Sequence, residues 1–227
     1  MSEFVSPSAG YGVVEEEPPE VAARNLRSGA QLWASASGFF FIGFVFAYFY
    51  LRSLNNGHMW RPKHVDPSLG IGTAFMACLV VAAAVLWFAV QDMRAARRPQ
   101  WRAKGLAALA LFLAAIALQI AAWATQGFGP TEGAYASVYF GWTAMLFVFV
   151  VGTTFWLETV VATAIRYRKV PIGGMPPAGH ASGDPHRMRH DIADPISLVR
   201  PQLEAVSFYT QFIALVAVIT WIVLDLV

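Results

Sequence analysis

Histidine is missing from every long apolar stretch of this chain, cysteine occurs once, and charged residues make up only 13% of the 227 residues. Each shortage excludes something. The five histidines (His58, His64, His180, His186 and His190) all fall between the apolar stretches. Haem iron and copper need buried imidazole or thiolate ligands, so these stretches offer no imidazole to hold them. The single thiol, Cys78, lies within an apolar stretch. It cannot close an internal disulfide or build a multi-cysteine metal site, and it reads as a small apolar side chain packed in a helix. Soluble domains carry about 25% charged residues, so the scarcity of charge argues against an ordinary soluble fold. No basic stripe with interleaved aromatics occurs, which argues against nucleic acid as a partner. The start of the chain lacks the pattern of a basic region followed by a short apolar run and a small-residue cleavage site. It carries Glu15-Glu16-Glu17-Pro18-Pro19-Glu20 instead. That run is too acidic for a secretory leader or a transit peptide and reads as a loosely ordered cytoplasmic extension.

What the chain has in abundance is hydrocarbon. Hydrophobic residues are 57% of the total and mean hydropathy is +0.51. They concentrate in five stretches at 31–51, 69–91, 105–125, 134–165 and 203–226. Each has at least the roughly 20 residues a helix needs to cross a bilayer. The reading is an all-α polytopic membrane protein, a bundle of five transmembrane helices. Residues 1–28 form a cytoplasmic tail and 29–227 the membrane domain, with a long inner loop at about 166–202. Orientation follows from Lys and Arg. Thirteen of the sixteen flank the side bearing the N-terminus, and only Arg52, Arg61 and Lys63 flank the other. The positive-inside rule then places the N-terminus in the cytoplasm and the C-terminus outside. Amphipathic rings favour headgroup depth. Trp33, Trp87, Trp101 and Tyr167 fall near the inner boundary, and Tyr50, Trp60, Trp123, Tyr135, Tyr139 and Trp221 near the outer one.

Helix faces add detail. In the third stretch Ala107, Ala110, Ala114, Ala117, Ala121 and Ala124 recur at spacings of three and four and share one face. Small residues let membrane helices approach closely, so this face predicts a tight partner. The short 126–133 connection nominates the fourth helix. The fifth helix, rich in Val, Ile and Leu, suits lipid exposure or a looser seam. Gln119, Ser35, Ser37, Thr153 and Thr154 can hydrogen-bond across helices. Glu158 lies about two turns inside the inner end of its stretch. An ionisable residue there is a functional candidate, and the simpler account is that it reaches the headgroups, Arg166 or a neighbouring subunit. Glu204 and Asp225 sit at helix ends and need no special account. His186 and His190 would share a helix face, but the surrounding Pro- and Gly-rich run reads as a solvated loop.

The run from Ser35 to Arg52 contains Phe39-Phe40, then Gly43-Phe44, then Ala47-Tyr48-Phe49-Tyr50-Leu51-Arg52. It resembles a helix of the bacterial cytochrome c oxidase subunit III family. Trp60-Arg61-Pro62 follows where that family carries a Trp-Pro element. Gly152-Thr153-Thr154-Phe155 is similar to its penultimate helix, and Phe208-Tyr209 with Trp221 to its last. The five-helix layout fits the shorter bacterial members. The chain departs from the family at Ser37, where a Glu is typical, and at Met145-Leu146-Phe147-Val148, where a paired His motif is typical. It departs again at Tyr209-Thr210-Gln211, in place of Tyr-Trp-His.

The resemblance implies a non-catalytic subunit of a haem–copper terminal oxidase in a bacterial inner membrane. It implies contact with catalytic subunit I and other oxidase subunits, haem and copper in those partners rather than in this chain, and bound phospholipid. A quinol oxidase or nitric oxide reductase complex is the alternative assembly, and a small transporter the alternative class. Transporters tend to show repeats, broken helices and polar midplane sites, which are absent from this sequence. Candidate lipid or subunit contacts are Glu158, Arg52, Trp60, Ala110, Ala114, Ala117 and Ala121. No catalytic, cofactor-binding or metal residue is nominated.

Overall fold

The computed structural model describes residues 19–54, 60–62, 64–95, 98–166 and 195–226. Among them are five α-helices and no strand: α1 Pro19–Ser53, α2 Leu69–Arg94, α3 Arg98–Thr125, α4 Ala134–Arg166 and α5 Pro195–Trp221. After Trp221 the last helix widens into a π-helical turn, Ile222–Leu226. All five are long and apolar enough to cross a membrane. The acidic run at 15–17, the loop histidines at 58, 180, 186 and 190, and most of the long loop lie outside the described residues.

Two helices start earlier than the hydropathy suggests. α1 reaches back to Pro19, so residues 19–28 are helical rather than tail. α5 begins at Pro195 and carries Pro201 inside it. Polar residues need no apolar environment to continue a helix already nucleated by its membrane segment. With 35 and 33 residues, α1 and α4 extend about 52 and 50 Å at 1.5 Å per residue. They outreach a hydrocarbon layer about 30 Å thick.

The buried positions repeat every 3.5 residues in each helix. In α3 they are Trp101, Gly105, Ala108, Phe112, Ala115, Gln119 and Ala122; in α5 they include Val199, Leu203, Val206, Thr210, Ile213, Ala217, Thr220 and Leu224. A 3.5-residue repeat keeps one seam facing its neighbours and gives left-handed, knobs-into-holes packing. α3 packs most extensively on α2 and less so on α4, while α5 touches α1, α2 and α4.

Two expectations about helix faces are therefore corrected. The stripe Ala107, Ala110, Ala114, Ala117 and Ala124 is exposed on the outside of the bundle, and Ala121 is half-buried. The α3 seam is the neighbouring, mixed stripe rotated by one residue, and its principal partner is α2 rather than α4. α5 is also no loose outer helix. It is the central element, because its branched side chains fill the space between three neighbours.

Hydrophobicity does not hold helices together in lipid, whose tails are as apolar as leucine. Close packing and interhelical hydrogen bonds remain. Trp123 Nε1 donates to Thr143 Oγ1 at 3.1 Å, tying α3 to α4, and Trp221 Nε1 donates to Thr73 Oγ1 at 3.0 Å, tying α5 to α2. Thr153 and Thr154 do not cross between helices as expected. Each hydroxyl donates back to the carbonyl four residues earlier, Phe149 and Val150, at 2.7 Å.

Candidate functional site

Polar side chains gather at the two ends of the bundle. At the end opposite the arginine-rich one, here the far end, the loop after α1 folds back on the helix tips. The Trp60 carbonyl accepts the Tyr135 N–H at 3.1 Å, satisfying one of the free donors at the start of α4. Trp60 is 8% exposed and stands edge-on to Tyr48 and Tyr135, with centroids 5.1 and 5.7 Å away. The Arg61 guanidinium lies 4.8 Å from the Tyr135 ring centroid, pairs with Asp66 and donates from Nε to the Val65 carbonyl at 2.9 Å. Arg52 sits 5.9 Å from the Tyr48 ring. Tyr135 Oη donates to the Leu224 carbonyl at 2.7 Å. A π-helical turn disrupts the usual intrahelical pairing, and this bond ties that turn to α4.

Beneath this clasp is a cavity of about 20 Å³ with a largely apolar wall, including Phe75, Met76 and Leu146, into which Gln119, Tyr139, Thr143, Thr220 and Asp225 also face. It has room for a single water. Gln119 Nε2 is buried without a hydrogen-bond partner. The Asp225 carboxylate approaches the bare backbone of Gly72 closely: a Cβ there would come within 2.8 Å of Oδ2, so the carboxylate would have to move to admit one. Asp225 sits at a helix end as expected, but half-buried and packed against the α2 backbone at Gly72.

The α3–α4 loop carries a second far-end contact. Glu132 accepts the Gly129 N–H at 2.7 Å and meets His64 Nε2 at 2.7 Å. The Gly129 N–H, and after it the imidazole of His64, hold the Glu132 carboxyl below its ordinary value. Gly133, next to it, has φ 118°, a conformation that admits glycine with little strain.

At the arginine-rich end, Glu204 of α5 is a hub. Its oxygens take Arg27 Nη2 of α1 at 3.1 Å, Arg94 Nε of α2 at 3.1 Å and Arg200 Nε at 3.4 Å. Sequence reasoning passed over Glu204; the Arg200–Glu204 spacing of four was the available signal. Asp92, nearly buried, pairs with Lys104 across the α2–α3 connection.

The nominated residues do not converge. Arg52 and Trp60 share the far-end clasp, where Trp60 is enclosed by protein rather than turned toward lipid or a partner. Trp101, Tyr135 and Tyr139, expected at headgroup depth, are likewise buried. The alanines Ala110, Ala114 and Ala117 lie on the outer face of α3. Glu158 is exposed on α4. Trp156 packs on Tyr209 with centroids 6.3 Å apart, which sets the two helices in register. By that register Glu158 lies only about 4–5 Å farther from the arginine-rich end than Glu204, at 1.5 Å per residue.

Ser37 of α1 and Tyr209 of α5 form a contact of their own. Ser37 Oγ, 4% exposed as a residue, donates to the Trp33 carbonyl at 2.7 Å and lies 3.3 Å from Tyr209 Oη. Among the described residues, no three His, Cys, Asp or Glu side chains gather into a metal-binding group. No protein-family model matches the chain, and no curated protein matches it in sequence.

Proposed function

We propose that the chain is a non-catalytic, subunit III-like component of a haem–copper terminal oxidase. On this reading it lies in a bacterial inner membrane with its arginine-rich end in the cytoplasm. It would pack beside the catalytic subunit, hold lipid, and keep that subunit structured while electrons pass to oxygen. The observation that carries the reading is the run from Ala47 to Arg52 with Trp60-Arg61-Pro62. Its support in three dimensions is that Tyr48, Arg52, Trp60 and Arg61 are not scattered. Tyr48, Trp60 and Arg61 meet around Tyr135 as one clasp, with Arg52 over the Tyr48 ring at its edge. A motif whose members touch one another has a physical reason to occur together.

Haem and copper belong to the partner subunits in this reading, and the chain contributes framework. Ser37, where the resembled family typically carries a Glu, removes a titratable carboxyl from α1, so no proton transfer is assigned to that position. The test is native purification of the tagged chain from its own membrane in mild detergent. A co-migrating band with haem absorbance, and slower oxygen consumption by membranes lacking the chain, are the expected results. A chain that migrates alone, with no haem in its fractions and unchanged respiration in its absence, would overturn the proposal.

A further inference from the structure

The far-end cavity beneath the clasp is rich in hydrogen-bond acceptors and short of donors. Thr143 Oγ1 donates to the Tyr139 carbonyl at 2.7 Å and accepts from Trp123 Nε1 at 3.1 Å. Thr220 Oγ1 donates to the Val216 carbonyl at 2.8 Å. Both hydroxyl protons are thus committed to backbone, and only lone pairs remain for the cavity. Asp225 adds a carboxylate, which when ionised accepts and cannot donate. Among the described residues it has no side-chain hydrogen bond or ion pair. Arg61, the cation of the clasp above, is engaged by Asp66 and the Val65 carbonyl. Against these acceptors stands Gln119 of α3. It is 5% exposed, and its Nε2 donor is buried without a partner.

The backbone brings these groups to one place. In an α-helix the residue above Thr220 is Leu224. The π-helical turn at 222–226, with its i→i+5 pairing, widens that step and turns Asp225 to the cavity as well. Gln119 lies about 9 Å inside the far end of α3, at 1.5 Å per residue. α3 packs on α2 and α4, and among the described residues no direct hydrogen bond joins it to α5 at this end. The cavity is where those two helices present unmatched polar groups to each other. Its volume of about 20 Å³ admits one molecule the size of water. Phe75, Met76 and Leu146 on the remaining wall leave no polar place for a second.

We propose that this cavity is the binding site of one long-lived water molecule, which accepts from Gln119 Nε2 and donates to the Asp225 carboxylate and Thr220 Oγ1. Water is the ligand that fits because it accepts and donates at once. A cation would face the Gln119 N–H with like polarity. A dry cavity would leave an amide donor and a half-buried carboxylate unpaired, which costs more than holding one water in place. The bound water joins α3 to the terminal turn of α5, two elements with no direct bond at this end. The inference goes beyond the oxidase reading and does not draw on it; it requires only the bundle.

The experiment is NMR of the full chain in mild detergent, labelled with nitrogen-15 at glutamine. The expected result is a nuclear Overhauser effect between water and the Gln119 side-chain amide, with the sign given by a slowly tumbling bound water rather than by diffusing solvent. Loss of the amide signal in Gln119→Glu assigns it. Asp225→Ala should abolish the effect while Asp225→Asn, which keeps an acceptor, should retain it. Asp225 lies at a helix end, so these variants are the ones least able to disturb folding. Gln119→Leu should melt about 1–6 °C lower, the range for one lost hydrogen bond in a chain of this size. A dry cavity predicts the opposite sign, because leucine there would relieve an unpaired donor. No effect from bound water in the unaltered chain, its persistence in Asp225→Ala, or a Gln119→Leu chain that melts higher would each overturn the proposal. A melting temperature raised by sodium over choline at fixed ionic strength, and not so raised in Asp225→Ala, would overturn it in favour of a cation site.

Discussion

Two adjacent residues of α3 should respond oppositely to the same substitution. Ala115 is 0% exposed and lies in the seam toward the rest of the bundle, whereas Ala114 faces outward. Ala→Leu adds three carbons at either position. At 115 there is no space for them, so α3 must move away from its neighbours or bend side chains off their rotamers. Overpacking of this kind costs about 1–3 kcal/mol. Within a bilayer no hydrophobic gain offsets it, because the added carbons leave an environment as apolar as the one they enter. A chain of this size loses about 2–4 °C of melting temperature per kcal/mol, so Ala115→Leu should melt roughly 2–12 °C lower. Ala114→Leu places the same carbons outside and should stay within about 0.5 kcal/mol of the parent. Thermal unfolding in detergent, followed by tryptophan fluorescence, measures both. Trp101 lies in the same seam and reports directly. If Ala114→Leu proves the more damaging of the two, the assigned rotation of α3 is wrong and the six-alanine stripe is the seam after all.

Replacing Lys104 by Met removes the ammonium paired with the nearly buried Asp92 carboxylate. The cost should be about 1–3 kcal/mol, discounted from the fully buried case because Lys104 is partly exposed, and Asp92→Asn in the same chain should recover part of it. Tyr135→Phe deletes the bond to the Leu224 carbonyl and should cost about 0.5–1.5 kcal/mol. Hydrogen exchange should rise in residues 222–226, and unchanged exchange there would count against the clasp. Glu132 has a lowered folded value, so its contribution is present above the ordinary glutamate range and disappears as pH falls through the lowered one. Exchange of the 126–133 loop should therefore rise on acidification below about pH 4 and be pH-insensitive in Glu132→Gln. Glu158→Gln should leave assembly and melting temperature unchanged, since the side chain is exposed on the outside of α4; loss of assembly would reveal a partner that covers it.

Number and order of the helices were legible because crossing hydrocarbon demands long apolar runs, and such runs cannot hide; their polar extensions at 19–30, 98–104 and 195–202 carry no such signal. The adjacency of α3 and α4 was legible from the short 126–133 loop. Rotation about each helix axis was not. In a soluble protein polar residues mark the outside, but here both faces are apolar, so Ala107–Ala124 and Trp101–Ala122 were equally plausible seams by hydropathy. The uniform stripe drew attention, yet the true seam mixes Trp, Gly, Ala and Phe, because packing against α2 needs complementary sizes rather than uniformly small ones. The centrality of α5 was hidden for the same reason: Val, Ile and Leu suit lipid and core equally. Trp60 was legible as part of a motif, but its burial depends on Tyr135, 75 residues further along. Glu204 and Asp225 were dismissed because charge near a helix end is ordinary. What makes them unusual is supplied by other helices, namely Arg27, Arg94 and the bare backbone at Gly72.

The placement of α5 bears on how the chain is made. A ribosome delivers the other four helices to the membrane first, and the surfaces of α1, α2 and α4 that α5 will cover face lipid or an insertion factor until it arrives. Those surfaces include the hydroxyls of Ser37 and Thr73, which have α5 partners only after Tyr209 and Trp221 have been inserted. The nascent protein is thus an unfilled ring around a missing axle, and biogenesis has to guard that vacancy until the fifth helix slides in.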